Sequence, residues 1–289
     1  MEYHLNGALV PASEATVSVH DRGFRYGDAV RVGLRAYGGS VFEWELNEER
    51  LRRAADGLGF ADAVPEDLHE RVHETLAAND LADAHLAVSI TRGVGGGLTP
   101  VSDAEPTVIV TAEERPRGGL DGTRAWDDPA LVQIVKTRSI SGRTIPTPAL
   151  THARLDGVLA RSEIERASTD DYHADEALVR DEEGTLVGGA ASSVFFVADG
   201  TLKTPSAAVA FPDVTREVVL DLAREESFPV ETGEYAPADV RDADEAFLTN
   251  PTWELRPIAR ADGVAVGTGP VTQLLTRLFD EYVERRHYE

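Results

Sequence analysis

The chain has 289 residues, 42% of them hydrophobic and 27% charged, with no cysteine and a formal net charge of -23. That length can bury a substantial core and form two domains, and the missing thiols exclude disulfides, thiolate metal sites and a cysteine nucleophile. So acidic a surface repels nucleic acid and anionic membrane, because phosphate binding needs a basic face.

Residues 3–10 read as two short strands around an Asn6-Gly7 turn. RVGLRAYGGSVFEW, from Arg31 to Trp44, repeats the pattern around Gly38-Gly39. A helix is predicted over ELNEERLRRAADGLGF, ended by Gly57, with Leu46, Leu51 and Ala54 on one face. VPEDLHERVHETLAAND is a second helix, with Pro65 near its start, Glu66 and Asp67 in its first turn and Asn79 near its end. HLAVSITRG and PTVIVTAEE are strands separated by the glycine-rich GVGGG. These elements make an N-terminal α+β domain over residues 1–115, and the Pro/Gly-rich texture that follows marks a linker at 116–122.

The second α+β domain, 123–289, opens with the strand LVQIVKTRSI. Next comes a Pro-punctuated extended segment, then an amphipathic helix with Leu155, Val158, Leu159 and Ile164 on its apolar side. Two strands follow, EALVRDEEG and TLVGGAASSVFFVADGTLKT, and then a helix over FPDVTREVVLDLAREES. PVETGEY is a strand, PADVRDADEAFLTN a short helix leading into a strand, IARADGVAVGTG a hairpin and VTQLLTRLFDEYVERRHYE a terminal amphipathic helix. The chain has no internal repeat and no low-complexity tract.

TIPTPALTHARLDGVLARSEI, residues 144–164, resembles the segment that carries the Schiff-base lysine in fold-type IV pyridoxal-phosphate (PLP) proteins. That family includes branched-chain and D-amino-acid transaminases and 4-amino-4-deoxychorismate lyase. Its members show T-I-P-T-A-A-K or A-K-T-H-N-R-L before the same helix. Here the lysine position falls on Leu150 and the nearby asparagine position on Ala153. The resemblance runs through nearly the whole chain and implies a two-domain α+β fold like that of D-amino-acid aminotransferase, PLP as cofactor and a homodimer.

DRGFRYGDAV, residues 21–30, is similar to the family's D-R-G-F-x-x-G-D-G-V, a turn motif in which Gly23 and Gly27 permit tight backbone. Arg50 stands where the family has an arginine that contacts the cofactor phosphate, a role its planar fork suits; a solvated helix arginine is the other reading. SITRGVGGGLTP resembles the substrate-carboxylate loop R-G-x-G-G-R-G, with Arg92 matching and the second arginine replaced by Gly97. EEGTLVGGAASSVFFVADG matches the family at Ser192, Phe195 and Val197, but the acid that faces the pyridine nitrogen is Gly188. FPDVTREVV resembles L-P-G-I-T-R, which implies phosphate contacts from Val214 and Thr215 at a helix N-terminus. Asp213 there replaces the family's glycine, and either Asp213 or Thr215 also suits a plain helix cap. The G-T pair that closes on the phosphate becomes Asn250-Pro251.

Leucine neither forms an imine nor shuttles a proton. Lys136, in an apolar strand, and Lys203, in a hairpin, are the only lysines. Lys136 is a weak substitute, and a strand-end lysine in solvent is the plainer reading. His152, beside the lysine position, and His20 are acid–base candidates, with a structural histidine as the alternative. No metal-ligand spacing is present.

Three readings stand open. The first is an aminotransferase or aminodeoxychorismate-lyase-like protein acting on an amino-acid or amino-chorismate type substrate. The second is a non-catalytic paralogue, a dimeric scaffold or small-anion binder. The third is a PLP-independent enzyme using His152 or Arg154.

No apolar run approaches the ~20 residues that cross a bilayer, and MEYHLNGALVPASEA lacks the pattern of a secretory signal, so the cytoplasm is expected. Two of the 28 basic residues are lysine, which leaves 28 - 2 = 26 arginines. Acid excess with so little lysine fits a halophilic protein, in which salt screens self-repulsion; an ordinary acidic protein is the alternative. The thermal midpoint is expected to rise steeply from dilute buffer to molar KCl. Full stability in dilute buffer would refute the halophilic reading.

Overall fold

The architecture comes from a computed structural model, which describes residues 1–100, 104–117, 124–142, 144–146, 150–170, 172–210 and 213–289. The chain forms two compact units. One comprises Met1–Arg117, Pro146–Ala153 and His287–Glu289, and the other Gly118–Ile145 and Arg154–Arg286. Pro146–Ala153 lies with the first unit, apart from its sequence neighbours, because residues 150–152 hydrogen-bond to the strand that begins at Ala29.

In the first unit, β1 (Glu2–Leu5) and β2 (Ala8–Pro11) form the expected hairpin. Asn6 and Gly7 both have positive φ, 52° and 94°, as a two-residue hairpin turn requires. DRGFRY contributes a single helical turn, α1 (Arg22–Tyr26), capped by the Asp21 side chain. β3 (Ala29–Tyr37), β4 (Ser40–Val41), β5 (Ala84–Thr91) and β6 (Thr107–Glu114) complete an antiparallel sheet of order β2-β1-β6-β5-β3-β4.

Alternation divides the two faces of this sheet. Ala84, Leu86, Val88 and Ile90 of β5 are buried, while His85, Ala87 and Ser89 between them are half-buried. α2 (Trp44–Gly57) and α3 (Leu68–Ala78) pack on the sheet, burying Leu51, Ala54, Leu68, Val72 and Leu76. Each large side chain so buried contributes roughly 1.5–3 kcal/mol. Asn47, not Leu46, belongs to the buried side of α2, because its amide donates to the carbonyls of Phe42 and Glu43. Asn79, the residue closing α3, accepts from the Glu2 N–H and donates to the Glu2 carbonyl, which ties β1 to the helix.

The second unit holds β7 (Ala130–Arg138), α4 (Leu155–Ala167), β8 (Glu176–Arg180), β9 (Leu186–Gly189), β10 (Ser193–Ala198), β11 (Thr201–Pro205), α5 (Val214–Glu225), β12 (Val230–Gly233), α6 (Pro237–Arg241), β13 (Glu245–Asn250), β14 (Glu254–Ala261), β15 (Val264–Ala265) and α7 (Pro270–His287). Its sheet runs β12-β11-β10-β13-β14-β7-β8-β9, with β15 paired to β14. The pairs β7–β8, β7–β14 and β11–β12 are parallel. Leu178 joins one core cluster with Val132, Val194, Phe196 and Leu248, while its neighbours Ala177 and Val179 join another with Ala160 and Ile164. Both faces of this sheet are therefore covered.

Two sequence expectations change here. TLVGGAASSVFFVADGTLKT is three strands rather than one, broken at residues 190–192 and at Asp199-Gly200, where φ is 52° and 69°. The apolar side expected of α4 is not its packed side. Leu155, Val158 and Leu159 are 64%, 57% and 47% exposed, while Ala160 and Ile164 are buried. Ile164 belongs to the packed side, and a small Ala160 lets the helix lie close to the sheet. Part of the extended segment before α4, residues 143 and 147–149, lies outside the described residues, as do 118–123 of the linker region. No helix among the described residues is long and apolar enough to cross a membrane.

His85 is 19% exposed, and a Cβ at Gly33 would come within 3.2 Å of its Nε2. Burial pushes its pKa down to about 4; Glu113 opposes this, and Arg31, Arg115 and Arg35 add to it. The unfolded chain titrates near the ordinary 6.5, so the neutral ring's contribution is full above that pH and is lost on acidification toward about 4. Unfolding free energy should fall by about 3 kcal/mol over this window on account of His85, and His85→Gln should lack that share. An unchanged acid limb in the variant would remove His85 as its source.

Candidate functional site

Leu150, His152, Arg50 and Arg92 belong to the first unit, and Lys136, Gly188, Val214 and Thr215 to the second. Leu150 is 5% exposed. Its carbonyl accepts from the Arg31 N–H at 2.6 Å, Thr151 bridges to Val30, and the His152 N–H donates to the Ala29 carbonyl. The backbone at this position is thus fixed along the start of β3, with a buried hydrocarbon side chain. His152 Nε2 lies 3.2 Å from Ser89 Oγ. Burial, then the charge of Arg31, hold its pKa below the ordinary histidine value, with Asp21 opposing, so the ring is neutral at pH 7. His20 is exposed.

Arg92 is committed to structure. Its Nε donates to Asp28 Oδ2 at 2.9 Å, its terminal nitrogens donate to the carbonyls of Leu58 and Gly59, and it lies over the Phe60 ring. Asp28 Oδ2 also accepts from Arg22 Nε at 2.7 Å. Arg22, 3% exposed, reaches on to the carbonyls of Gly97, Leu98 and Thr99. One carboxylate therefore orients two guanidinium groups, of which Arg22 holds the end of the glycine-rich loop and Arg92 the Leu58–Gly59 carbonyls. Burial pushes the Asp28 pKa up, but the hydrogen bonds from Arg92 and Arg22 outweigh it and hold the carboxyl below its ordinary value. Gly93 is required in this loop, because φ is 85° and a Cβ would collide with the Glu105 carbonyl. Arg50 is half-buried on α2, and its neighbours Arg52 and Arg53 pair with Glu48 and Glu49.

In the second unit Lys136 is exposed on β7, where its own N–H donates to Glu163 Oε1. Gly188 has φ 148°, and a Cβ there would come within 2.9 Å of the Ser192 carbonyl oxygen. A side chain at this position is strained on this backbone. Beside the next residue, Gly189, Glu176 is fully buried. Its carboxylate accepts from the Ala177 and Ala191 N–H groups, Ser192 Oγ and Arg161. Burial raises its pKa against these donors. Arg154 donates to the neighbouring Ala190 carbonyl.

Val214 and Thr215 open α5, but the Thr215 N–H donates to Asp213 Oδ1 at 3.1 Å. Asp213 Oδ2 accepts from Thr249 Oγ1, also at 3.1 Å. Asn250 Oδ1 takes the N–H groups of Thr252 and Trp253, and its Nδ2 donates to the Ala191 carbonyl. Hydrogen bonds thus link the α5 N-terminus to the end of β13, and the end of β13 to the 188–192 turn. The resemblance did not reveal Glu176 or the Asp213–Thr249 bond. A charged residue opening the apolar run EALV was the available signal for Glu176; the partner of Asp213, 36 residues away, had none. Among the described residues no group of three or more His, Asp or Glu could hold a metal ion.

The family model for class IV amino-transferases matches residues 33–261. A protein of Methanocaldococcus jannaschii provisionally named a branched-chain-amino-acid aminotransferase is 33% identical over 99% of this chain and 96% of its own length. The T.th. branched-chain amino acid aminotransferase, solved with pyridoxamine 5'-phosphate, superposes with a TM-score of 0.87 at 27% identity, covering 99% of this chain and 94% of that one. 4-Amino-4-deoxychorismate lyase from Pseudomonas aeruginosa superposes with a TM-score of 0.79 at 27% identity, covering 99% and 100%.

Replacing Asp28 by Asn should cost about 3 kcal/mol at pH 7, because it leaves the buried Arg22 guanidinium without its counter-charge. The Asp28 contribution is present above the ordinary carboxylate value of 3.8 and is lost as pH falls through its lower folded value. Denaturant unfolding should therefore show the gap between wild type and D28N closing below that pH. Equal stabilities at pH 7 would show the arginine bridge to be dispensable.

Proposed function

The chain belongs to the class-IV aminotransferase family, and from that premise we propose that it recognises the family's kind of ligand without a lysine-bound cofactor. The ligand is of amino-acid or amino-chorismate type, as the names of the similar transaminases and lyase indicate. PLP is the cofactor of the family. The observation that carries the proposal is Leu150, a buried hydrocarbon at the lysine position on a backbone pinned to β3. No lysine occurs in residues 137–202, so shifting the alignment by one or two positions supplies no amine.

Two further features point the same way. Gly188, at the position of the ring-facing acid, offers no carboxylate to keep the pyridine nitrogen protonated. Lys136, the nearest amine in sequence, is exposed. These residues do not fit a covalently held PLP.

The second reading is a non-catalytic paralogue, a dimeric scaffold or small-anion binder in the cytoplasm, and a homodimer is common to both readings. Leu155, Val158 and Leu159 present one exposed apolar side of α4, which suits burial in a homodimer.

Purified protein mixed with PLP should show no imine absorbance band and, after borohydride, no pyridoxyl adduct by mass spectrometry. An adduct on Lys136 or Lys203 would overturn the proposal.

A further inference from the structure

We infer that Asp213 is an internal anion that stands at the N-terminus of α5 and takes the Thr215 N–H there, so that this end of the second unit refuses phosphate and the ligand of the chain carries no phosphate group. The inference rests on the reading above and deepens it, since a missing lysine alone leaves phosphate-anchored, non-covalent binding open.

α5 is 12 residues long, and a helix N-terminus offers unpaired N–H groups at the positive end of its dipole. An ordinary capping aspartate would satisfy one such N–H from a solvated position. Asp213 does more, because both its oxygens are engaged. Oδ1 accepts from the Thr215 N–H and Oδ2 from the Thr249 hydroxyl of a neighbouring strand, each at 3.1 Å. The residue is 7% exposed. A backbone N–H at a helix start and a hydroxyl beside it are the donors a bound phosphate would use. Here a carboxylate of the chain itself takes both.

The adjoining turn is also satisfied from within. The N–H groups of Thr252 and Trp253 donate to Asn250 Oδ1 at 2.9 and 2.6 Å, and Pro251 has no N–H to offer. An incoming phosphate would have to displace the Asp213 carboxylate or sit against its charge, and like charges at that range repel. A ligand bearing an amine or a neutral group meets no such opposition.

Calorimetric titration of the full chain with inorganic phosphate and with PLP tests this in wild type, Asp213→Asn and Asp213→Gly. Asparagine keeps the cap and removes the charge; glycine removes both. Wild type should show no saturable phosphate binding, and both variants should show saturable binding of phosphate and PLP, at least about tenfold above the wild-type detection limit. Should the glycine variant fail to fold, the asparagine variant carries the test. Wild type binding phosphate as tightly as Asp213→Asn would overturn the inference, and so would an equal absence of binding in all three proteins. A borohydride-fixed adduct in a wild type that still shows no saturable phosphate binding sinks the preceding proposal alone, since inorganic phosphate forms no imine; an adduct together with phosphate binding in wild type sinks both.

Discussion

A carboxylate buried without donors costs several kcal/mol, and this chain uses that requirement to tie its loops to its sheets. Asp21 draws in the Gly23 N–H and the hydroxyls of Thr91 and Thr107, which fixes α1 against β5 and β6. Asp28 gathers Arg22 and Arg92, and through them the carbonyls of two loops. Glu245 accepts from the N–H groups of Val271 and Thr272 and from the Thr272 hydroxyl, so the start of α7 is anchored to β13. Glu176 and Asp213 do the same for the turn after β9 and for the start of α5. In a protein with a net charge of -23, these few acids act unlike the solvated majority, since each is specified by the donors around it.

That division separates residues the fold needs from residues at positions to which the resemblance assigns chemistry. The acids that organise the loops and the apolar residues that fill the two faces of the second sheet are needed for folding. Leu150, Gly188 and Gly97 stand at positions that the resemblance assigns to chemistry, and none of them has a side chain that can donate or accept a hydrogen bond. Where a departure does touch the fold, the fold has absorbed it. The Asp213 carboxylate caps α5 and reaches β13, and the Asn250 side chain organises the turn beyond β13.

Arg92 matches the first arginine of the family's loop and is by that match a candidate substrate contact, while the carboxylate-holding second arginine falls on Gly97. In the structure the donors of Arg92 go to Asp28, Leu58 and Gly59, and its face lies on Phe60. His152 Nε2 likewise lies against Ser89 Oγ, with its pKa held down by burial.

Sequence alone determined the family, the mixed helix-and-strand character and most element positions, because hydrophobic period, turn glycines and caps act over a few neighbouring residues. The Asn6-Gly7 hairpin and the α3 end at Asn79 are of this kind. It also showed that residue 150 is not an amine, since identity needs no coordinates. Tertiary structure decided what depends on distant partners: which side of α4 is packed, that Asp28 unites two arginines, and that Asp213 meets Thr249 across the fold. Periodicity marks an apolar stripe without saying what covers it. A charged residue's role follows from the donors that folding brings to it, and no local pattern encodes those.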